Sequence, residues 1–430
     1  MKEGYKKTEL GWIPEEWNNI KIGDIFELSG GLSVSREKLG NSGVCYLHYG
    51  DIHKRDKNYI NVDIDKNWLP KIEGKFDQFK NSVKLEDGDI VFADASEDYE
   101  GIGKSVAILN ENNKEFVSGL HTIVGKDINR VLDRNFKRFC LSTDTIRKQF
   151  RKFAVGTSVY GISRENLKKI SVLVPPLEEQ QKIAEILSTV DSQIDDTDKL
   201  IEKTKELKKG LMQRLLTKGI GHSEFKKSEV GEIPVEWEKK RLSEVATVID
   251  SLHETPKYTE LGVSMIRVVD VNGRYINTDT TFKVDEETYL KFTRKYVPQC
   301  EDIIMSRVGS YGLTSYLKTC ERVCLGQNIV VISTSALNKK YLFYALNSNY
   351  VKGEIDKVTV GSSQKTLSLA NINKLHILVP TLEEQEKIAN ILSSVDKEIE
   401  EYENKKEKLE ELKRGLMQQL LTGKIRSIKQ

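Results

Sequence analysis

The sequence predicts an α+β protein: two mixed α/β head domains separated by two long helices that form an antiparallel coiled coil, with internal pseudo-two-fold symmetry. Three observations predict it. Residues 172–217 (VLVPPLEEQQKIAEILSTVDSQIDDTDKLIEKTKELKKGLMQRLLT) align without a gap on residues 377–422 (ILVPTLEEQEKIANILSSVDKEIEEYENKKEKLEELKRGLMQQLLT), at an offset of 205 and with 28 of 46 positions identical. Both copies space their apolar residues alternately by four and three. A second marker, Glu9-x-Gly11-x-Ile13-Pro14-x-Glu16-Trp17, returns as Glu229-x-Gly231-x-Ile233-Pro234-x-Glu236-Trp237 at an offset of 220, so the first head is 15 residues longer. A long internal repeat sets the architecture before any local feature does.

The 430 residues exceed what one core can serve, since single cores stop growing at roughly 250–300 residues. The chain divides into a first head (1–176), a first repeated helix (177–220), a second head (221–379) and a second repeated helix with its tail (380–430). Each head opens on the marker, where Pro and Gly favour a turn and the Trp anchors it. Short apolar runs between Gly, Asn and Asp then predict strands: Val44–Leu47, Asp89–Phe92, Val106–Leu109 and His121–Val124 in the first head, and Met265–Val269, Asp302–Met305 and Asn328–Ile332 in the second. Phe136–Phe153 and Lys340–Lys352 predict helices. Gly88-Asp-Ile-Val-Phe92 matches Glu301-Asp-Ile-Ile-Met305, so the heads share a fold while differing in most surface residues.

The repeated helices carry the strongest signal. Ile183, Leu187, Val190, Ile194, Ile201, Leu211 and Leu215 follow a 3.5-residue seam, as do Ile388, Leu392, Val395, Ile399, Tyr402, Leu409, Leu416 and Leu420; such a seam is that of a coiled coil. Pro175 and Pro380 precede the helices, a glutamate pair opens each first turn where it suits the macrodipole, and Gly219 and Gly423 stop them. A rod of this length needs a partner helix, and the two copies suit each other. Gly210 and Gly415 sit inside the helices and mark either close helix approach or tolerated glycines. The identical LEEQ and GLMQ faces are candidates for a duplicated docking surface and spacer: Leu177, Gln180, Ile183, Leu187, Leu211 and Met212 in one copy, Leu382, Gln385, Ile388, Leu392, Leu416 and Met417 in the other.

Net charge is +2, with −6 on the two helices and +8 on the remainder, an excess compatible with a polyanionic partner. Five cysteines without a C-x-x-C argue against zinc and disulfide frameworks and for a reducing cytosol. The opening MKEGYKKTEL has no apolar core, so no signal peptide is expected, and no apolar run of membrane-spanning length occurs in the sequence. There is no Walker A loop, H-E-x-x-H, G-x-S-x-G or paired-cysteine site, so no catalytic or metal-binding residue is assigned. His48 and His121 lie in or beside apolar runs and are expected to be structural. The loops instead carry donors suited to phosphates and base edges. In the first head these are Arg36, Lys54, Arg55, Ser96, Thr157, Ser158 and Tyr160. In the second they are Arg267, Arg274, Arg307, Ser310, Tyr311, Gln327, Ser363, Gln364 and Lys365. Gly156-Thr-Ser and Gly361-Ser-Ser recur at the helix offset of 205.

Together, the order head–helix–head–helix, the G-x-I-P-x-x-W markers and the V-P-x-L-E-E-Q-x-K-I-A-x-I-L helix openings resemble the specificity subunits of type I restriction–modification systems over essentially the whole chain. The resemblance implies two target-recognition domains that each read a half-site of double-stranded DNA from the major groove. The helices would set the gap between half-sites, and unlike heads would make the target asymmetric and bipartite. It further implies two docked copies of a modification subunit, which binds S-adenosylmethionine and methylates adenine. ATP- and Mg2+-dependent restriction subunits would cleave, with no cofactor on this chain and a prokaryotic cytoplasmic setting. The competing expectations are a coiled-coil scaffold that bridges two proteins without reading DNA, and a fused methyltransferase that would itself bind S-adenosylmethionine.

Overall fold

The computed structural model describes residues 4–359 and 366–427. It forms two compact units, one of Met1–Thr197 with Lys405–Gln430, the other of Asp198–Asn404. Each unit therefore holds one head, a stretch of the long helix that follows it, and a stretch of the other long helix.

In the first unit the marker forms a hairpin, Tyr5–Thr8 against Gly11–Pro14, and Trp17 is fully buried behind it. The head is built on a five-stranded sheet in the order Glu27–Gly30, Thr122–Lys126, Ile90–Ala93, Ser105–Leu109, Tyr59–Asn61. Its central strand, IVFA, is buried along its whole length, because both faces of the sheet are covered. Phe92, Phe136, Phe139 and Phe150 fill one side of it. A smaller sheet orders Phe116–Ser118, Val44–Leu47 and Lys71–Ile72. Asn18–Lys21 pairs with Ser171–Val174, which leads into the long helix.

The second unit repeats this plan. Its marker hairpin is Phe225–Ser228 with Gly231–Pro234, and its main sheet runs Thr247–Asp250, Ile329–Ser333, Ile303–Ser306, Thr314–Tyr316. That is the first head's order without the last edge strand. Glu238–Arg241 pairs with His376–Val379 before the second helix.

The helices span Leu177–Lys218 and Leu382–Leu420. They stop where the glycines predict, with Gly219 at φ 65 and Gly423 at φ 68, the left-handed conformation that ends a helix cheaply only at glycine. Inside each unit the two helical stretches run antiparallel. In the second unit Leu215 and Leu216 share a core with Ile388 and Leu392, while Lys208 pairs with Asp396 at 2.5 Å. In the first, Ile183 and Leu187 share a core with Leu420, and Asp191 pairs with Lys413 at 2.6 Å. These two ion pairs are the same pair of repeat positions, with the roles of the copies exchanged.

Four expectations are corrected. The predicted helix 136–153 is two helices, Lys137–Cys140 and Asp144–Phe153, because the Thr143 hydroxyl accepts from the Ile146 N–H and starts a new one. The predicted helix 340–352 likewise divides into Lys339–Leu346 and Asn349–Thr359. Gly210 and Gly415 mark no close approach to any described residue: among these, a Cβ at either would meet nothing within 4 Å. Finally, Cys300 and Cys320 form a disulfide with Cα atoms 4.5 Å apart. The reason is register: Ile303–Ser306 pairs antiparallel with Thr314–Tyr316, with Ile303 opposite Tyr316, so the cysteines flanking the hairpin meet. Cys45, Cys140 and Cys324 are free and buried, and burial pushes the Cys140 and Cys324 thiols up to about 12.

Candidate nucleic-acid interface

The polar residues of the first head converge where Ile90–Ala93 ends and Thr122–Lys126 begins. Asp94 donates its N–H to the His121 carbonyl at 3.1 Å and accepts from the Ile162 N–H at 2.9 Å, which fixes its backbone on both sides. His121 has φ 56, a left-handed conformation uncommon for residues other than glycine. Its Nδ1 lies 3.1 Å from Asp94 Oδ1, and the two side chains are 52% and 31% exposed. His121 is thus a surface histidine, against expectation. Tyr49 stands between His48, His53 and His121, with ring centroids 4.6, 6.0 and 5.3 Å away. His48 is the structural histidine that was expected: its Nδ1 accepts from the Gly50 N–H and caps a short helix. Burial lowers its pKa. A cleft of about 400 Å³ opens here, lined among others by Gly30, Ser33, Asp94, His121 and Arg164.

Some sequence candidates gather near this cleft. Tyr160 pairs with Ser96 in a short two-stranded sheet, and Thr157 and Ser158 are exposed in the adjoining turn. Ser96 itself is buried, its hydroxyl accepting from the Asp98 N–H at 3.3 Å. Arg36 is half-exposed and pairs with the buried Asp51 at 2.9 Å. Lys54 is exposed. Arg55 is used internally, bound to Asp65 at 2.7 Å and lying over Trp68.

The second head carries different chemistry at the same place. Arg307 follows Ile303–Ser306 as Asp94 follows Ile90–Ala93, and its N–H bonds the Asn328 carbonyl at 2.8 Å. Asn328 is left-handed at φ 64, like His121. Asp250 occupies the sheet position of Gly30: it faces Val330, as Gly30 faces Ile123. Its carboxylate accepts two hydrogen bonds from Arg307 Nη1, at 2.8 and 3.0 Å. Arg307 Nε donates to the Leu367 carbonyl at 3.0 Å, and His253 Nε2 lies 2.9 Å from Asp250. Gln327 Nε2 donates to the Thr255 hydroxyl at 3.2 Å. Ser310 is exposed and Tyr311 packs partly into the core. Arg267 is held by Asp270 at 3.2 Å and lies over the Phe282 ring. Arg274 is bound by Glu403 of the long helix at 2.6 and 3.1 Å, bracing head to helix. Ser363, Gln364 and Lys365 fall outside the described residues.

Asp94, Asp250, His253 and Asn328 were absent from the sequence candidates. A signal for one of them existed, since the match of 88–92 to 301–305 already sets Asp94 opposite Arg307.

The helix candidates divide sharply. Gln180 and Gln385 are buried and bound within their own units, corrected from the docking surface expected of LEEQ. Each donates to the proline carbonyl before its helix at 2.9 Å and accepts a head N–H, from Asp133 at 2.7 Å and Asn338 at 2.9 Å. Ile183, Leu187, Ile388 and Leu392 are fully buried in the unit cores. Leu211, Met212, Leu416 and Met417 pack partly on those cores. Leu177 and Leu382 stay 54% and 57% exposed. Among the described residues no His, Cys, Asp and Glu cluster is arranged to hold a metal, and no helix is long and apolar enough to cross a membrane.

Two heads of one strand order, each with its own polar set at the matched strand ends and each joined to a repeated helix, define a duplicated recognition protein. The chain belongs to the type I restriction modification DNA specificity domain family, whose model matches residues 14–206 and 234–411. It is a DNA sequence-recognition subunit rather than the catalytic part of such a system. It is 28% identical over 440 residues to the type I restriction enzyme MjaVIII specificity subunit of Methanocaldococcus jannaschii, covering 99% of this chain and 96% of that one. It is 23% identical to the StySPI specificity subunit of Salmonella potsdam, over 88% and 81% of the two chains. Its fold matches the S subunit of M. genitalium with a TM-score of 0.55 at 16% identity, over 94% and 96%. A structure described for complex assembly and conformational transition of the type I R-M system matches equally, with a TM-score of 0.55 at 16% identity over 96% and 99%.

Proposed function

We propose that each head reads one half of an asymmetric, bipartite double-stranded DNA target, and that the long helices set the unread gap. The observation that carries this is the matched strand-end site, built on the same strands in both heads but formed by Asp94 and His121 in one and by Asp250 and Arg307 in the other. A shared scaffold with exchanged donors and acceptors suits reading two different sequences in the major groove. Bound to this chain, two copies of a modification subunit carrying S-adenosylmethionine methylate adenine, and restriction subunits using ATP and Mg2+ cleave unmodified DNA. The setting is the prokaryotic cytoplasm. Sequencing of methylated bases in the host, with and without this chain, tests the reading. A two-part motif with an undefined centre should vanish on deletion; retention of every motif would leave only a scaffold.

Docking of two identical modification subunits is supported by Gly210 and Gly415. Both are exposed at matching helix positions, with open space around them. An interior glycine costs about 1 kcal/mol against alanine, and no contact among the described residues accounts for that cost. The double variant Gly210→Leu, Gly415→Leu should gain helix stability. It should nonetheless lose at least roughly tenfold in affinity for the modification subunit, the order of a 1.4 kcal/mol penalty. Unchanged affinity in a titration would exclude these faces from docking.

A further inference from the structure

We propose that Asp94 is a specificity-determining residue of the first head, where it accepts a hydrogen bond from the exocyclic amino group of one target base, and that Arg307 at the equivalent place in the second head donates to a guanine. This rests on the DNA-reading function proposed above. A half-exposed carboxylate is unfavourable on a surface that approaches phosphates. It is useful there when it meets a donor, and cytosine N4 and adenine N6 are the amino donors of the major groove, of which an acid characteristically takes cytosine N4.

The geometry suits that task. Asp94 is anchored by backbone hydrogen bonds on either side, and His121 Nδ1 engages Oδ1 alone. Oδ2 has no hydrogen bond to any described residue, and Asp94 lines the cleft. Gly30 lines the same cleft, and a Cβ there would meet nothing within 4 Å, so the approach is open. In the second head the strand position of Gly30 is filled by Asp250, and the acid at 94 becomes Arg307. Asp250 and the Leu367 carbonyl hold Nη1 and Nε, leaving Nη2 to donate. An arginine clamped in this way is pre-organised for guanine O6 and N7. Both heads place a left-handed residue, His121 or Asn328, beside the reader, as strained backbone often stands at functional positions.

The test uses the chain assembled with its modification subunit and duplexes of the motif found by methylome sequencing. Each amino-bearing base in the first half-site is replaced in turn by its analogue lacking the amino group. One replacement should weaken binding by roughly 10- to 100-fold. Asp94→Ala should lose sensitivity to that replacement while its second half-site stays as selective as before. If no amino group in the first half-site matters, or if Asp94→Ala keeps the full sensitivity, the proposal is overturned. A wild-type complex without any sequence preference would instead refute the underlying reading. Because the analogue series is run first on the wild-type chain, a misfolded variant cannot mask a negative answer.

Discussion

Glu179→Ala will destabilise the unit that holds the first head by about 3–5 kcal/mol, the usual cost of leaving one member of a buried pair alone. Glu179 is fully buried. It accepts from the marker indole, Trp17 Nε1, at 2.8 Å. It also takes two hydrogen bonds from Arg426, at 2.8 and 3.0 Å, which raise the arginine pKa. The alanine leaves both donors without this acceptor. Glu384 does the same work in the other unit, accepting from Trp237 Nε1 at 3.0 Å, the Ile220 N–H at 2.8 Å and His222 at 2.9 Å. The basic residue differs, but in each unit it lies three residues past the helix-stopping glycine. For a unit of this size a loss of 3–5 kcal/mol lowers the Tm by roughly 10 °C. Glu179→Gln, which keeps an acceptor for Trp17 but not the charge for Arg426, should fall between. A calorimetric transition for Glu179→Ala within a degree of wild type would show that the marker is not anchored through this carboxylate.

The second large effect is expected at Asp191. It receives Arg138 of the head at 3.1 Å and Lys413 of the antiparallel helix at 2.6 Å. Arg138 is buried over the Tyr59 ring, and its Nε already lacks a partner; burial lowers its pKa. Asp191→Ala removes its acceptor and should cost about 3–5 kcal/mol. The repeat-related Asp396 holds Lys208 at 2.5 Å, but its head partner is the neutral Tyr344 hydroxyl at 2.7 Å. Asp396→Ala strands no buried guanidinium and should cost less, about 1–3 kcal/mol. Urea denaturation of the two variants measures the difference directly. Equal losses would mean that the helix–helix ion pair, common to both sites, dominates over the head contact.

Much of the fold was legible in the chain itself. The 3.5-residue seam, the stopping glycines and the strand runs rest on preferences that act within a few residues, so they survive being read without tertiary knowledge. The two helix predictions in the heads were too long because a single capping hydroxyl, such as that of Thr143, outweighs an apolar pattern that continues across it. The disulfide escaped notice because Cys300 and Cys320 are neighbours only through hairpin register.

The candidate site was legible in kind and not in detail. Arginines, serines and glutamines in loops were recognised as donors, yet Arg55, Arg267 and Arg274 are bound by acids of the same chain. Whether a charged loop residue is free depends on which carboxylate folds against it. Asp94 went unnoticed for the opposite reason: an acid seems out of place in a DNA reader until its histidine neighbour and its arginine counterpart are seen together.

The repeats and the periodicity in this sequence were enough to establish two like heads on two like helices, and the family that such an order belongs to. They could not say why the LEEQ segment is repeated. Its glutamates and glutamines look like an exposed docking face in one dimension. In the fold Glu179, Gln180 and Gln385 are buried acceptors and donors, and a tryptophan 162 residues away supplies the hydrogen that Glu179 needs. Local sterics and hydrophobic spacing are written along the chain. The partners of a buried polar group are set by packing between distant segments, and that packing exists only once the chain is folded.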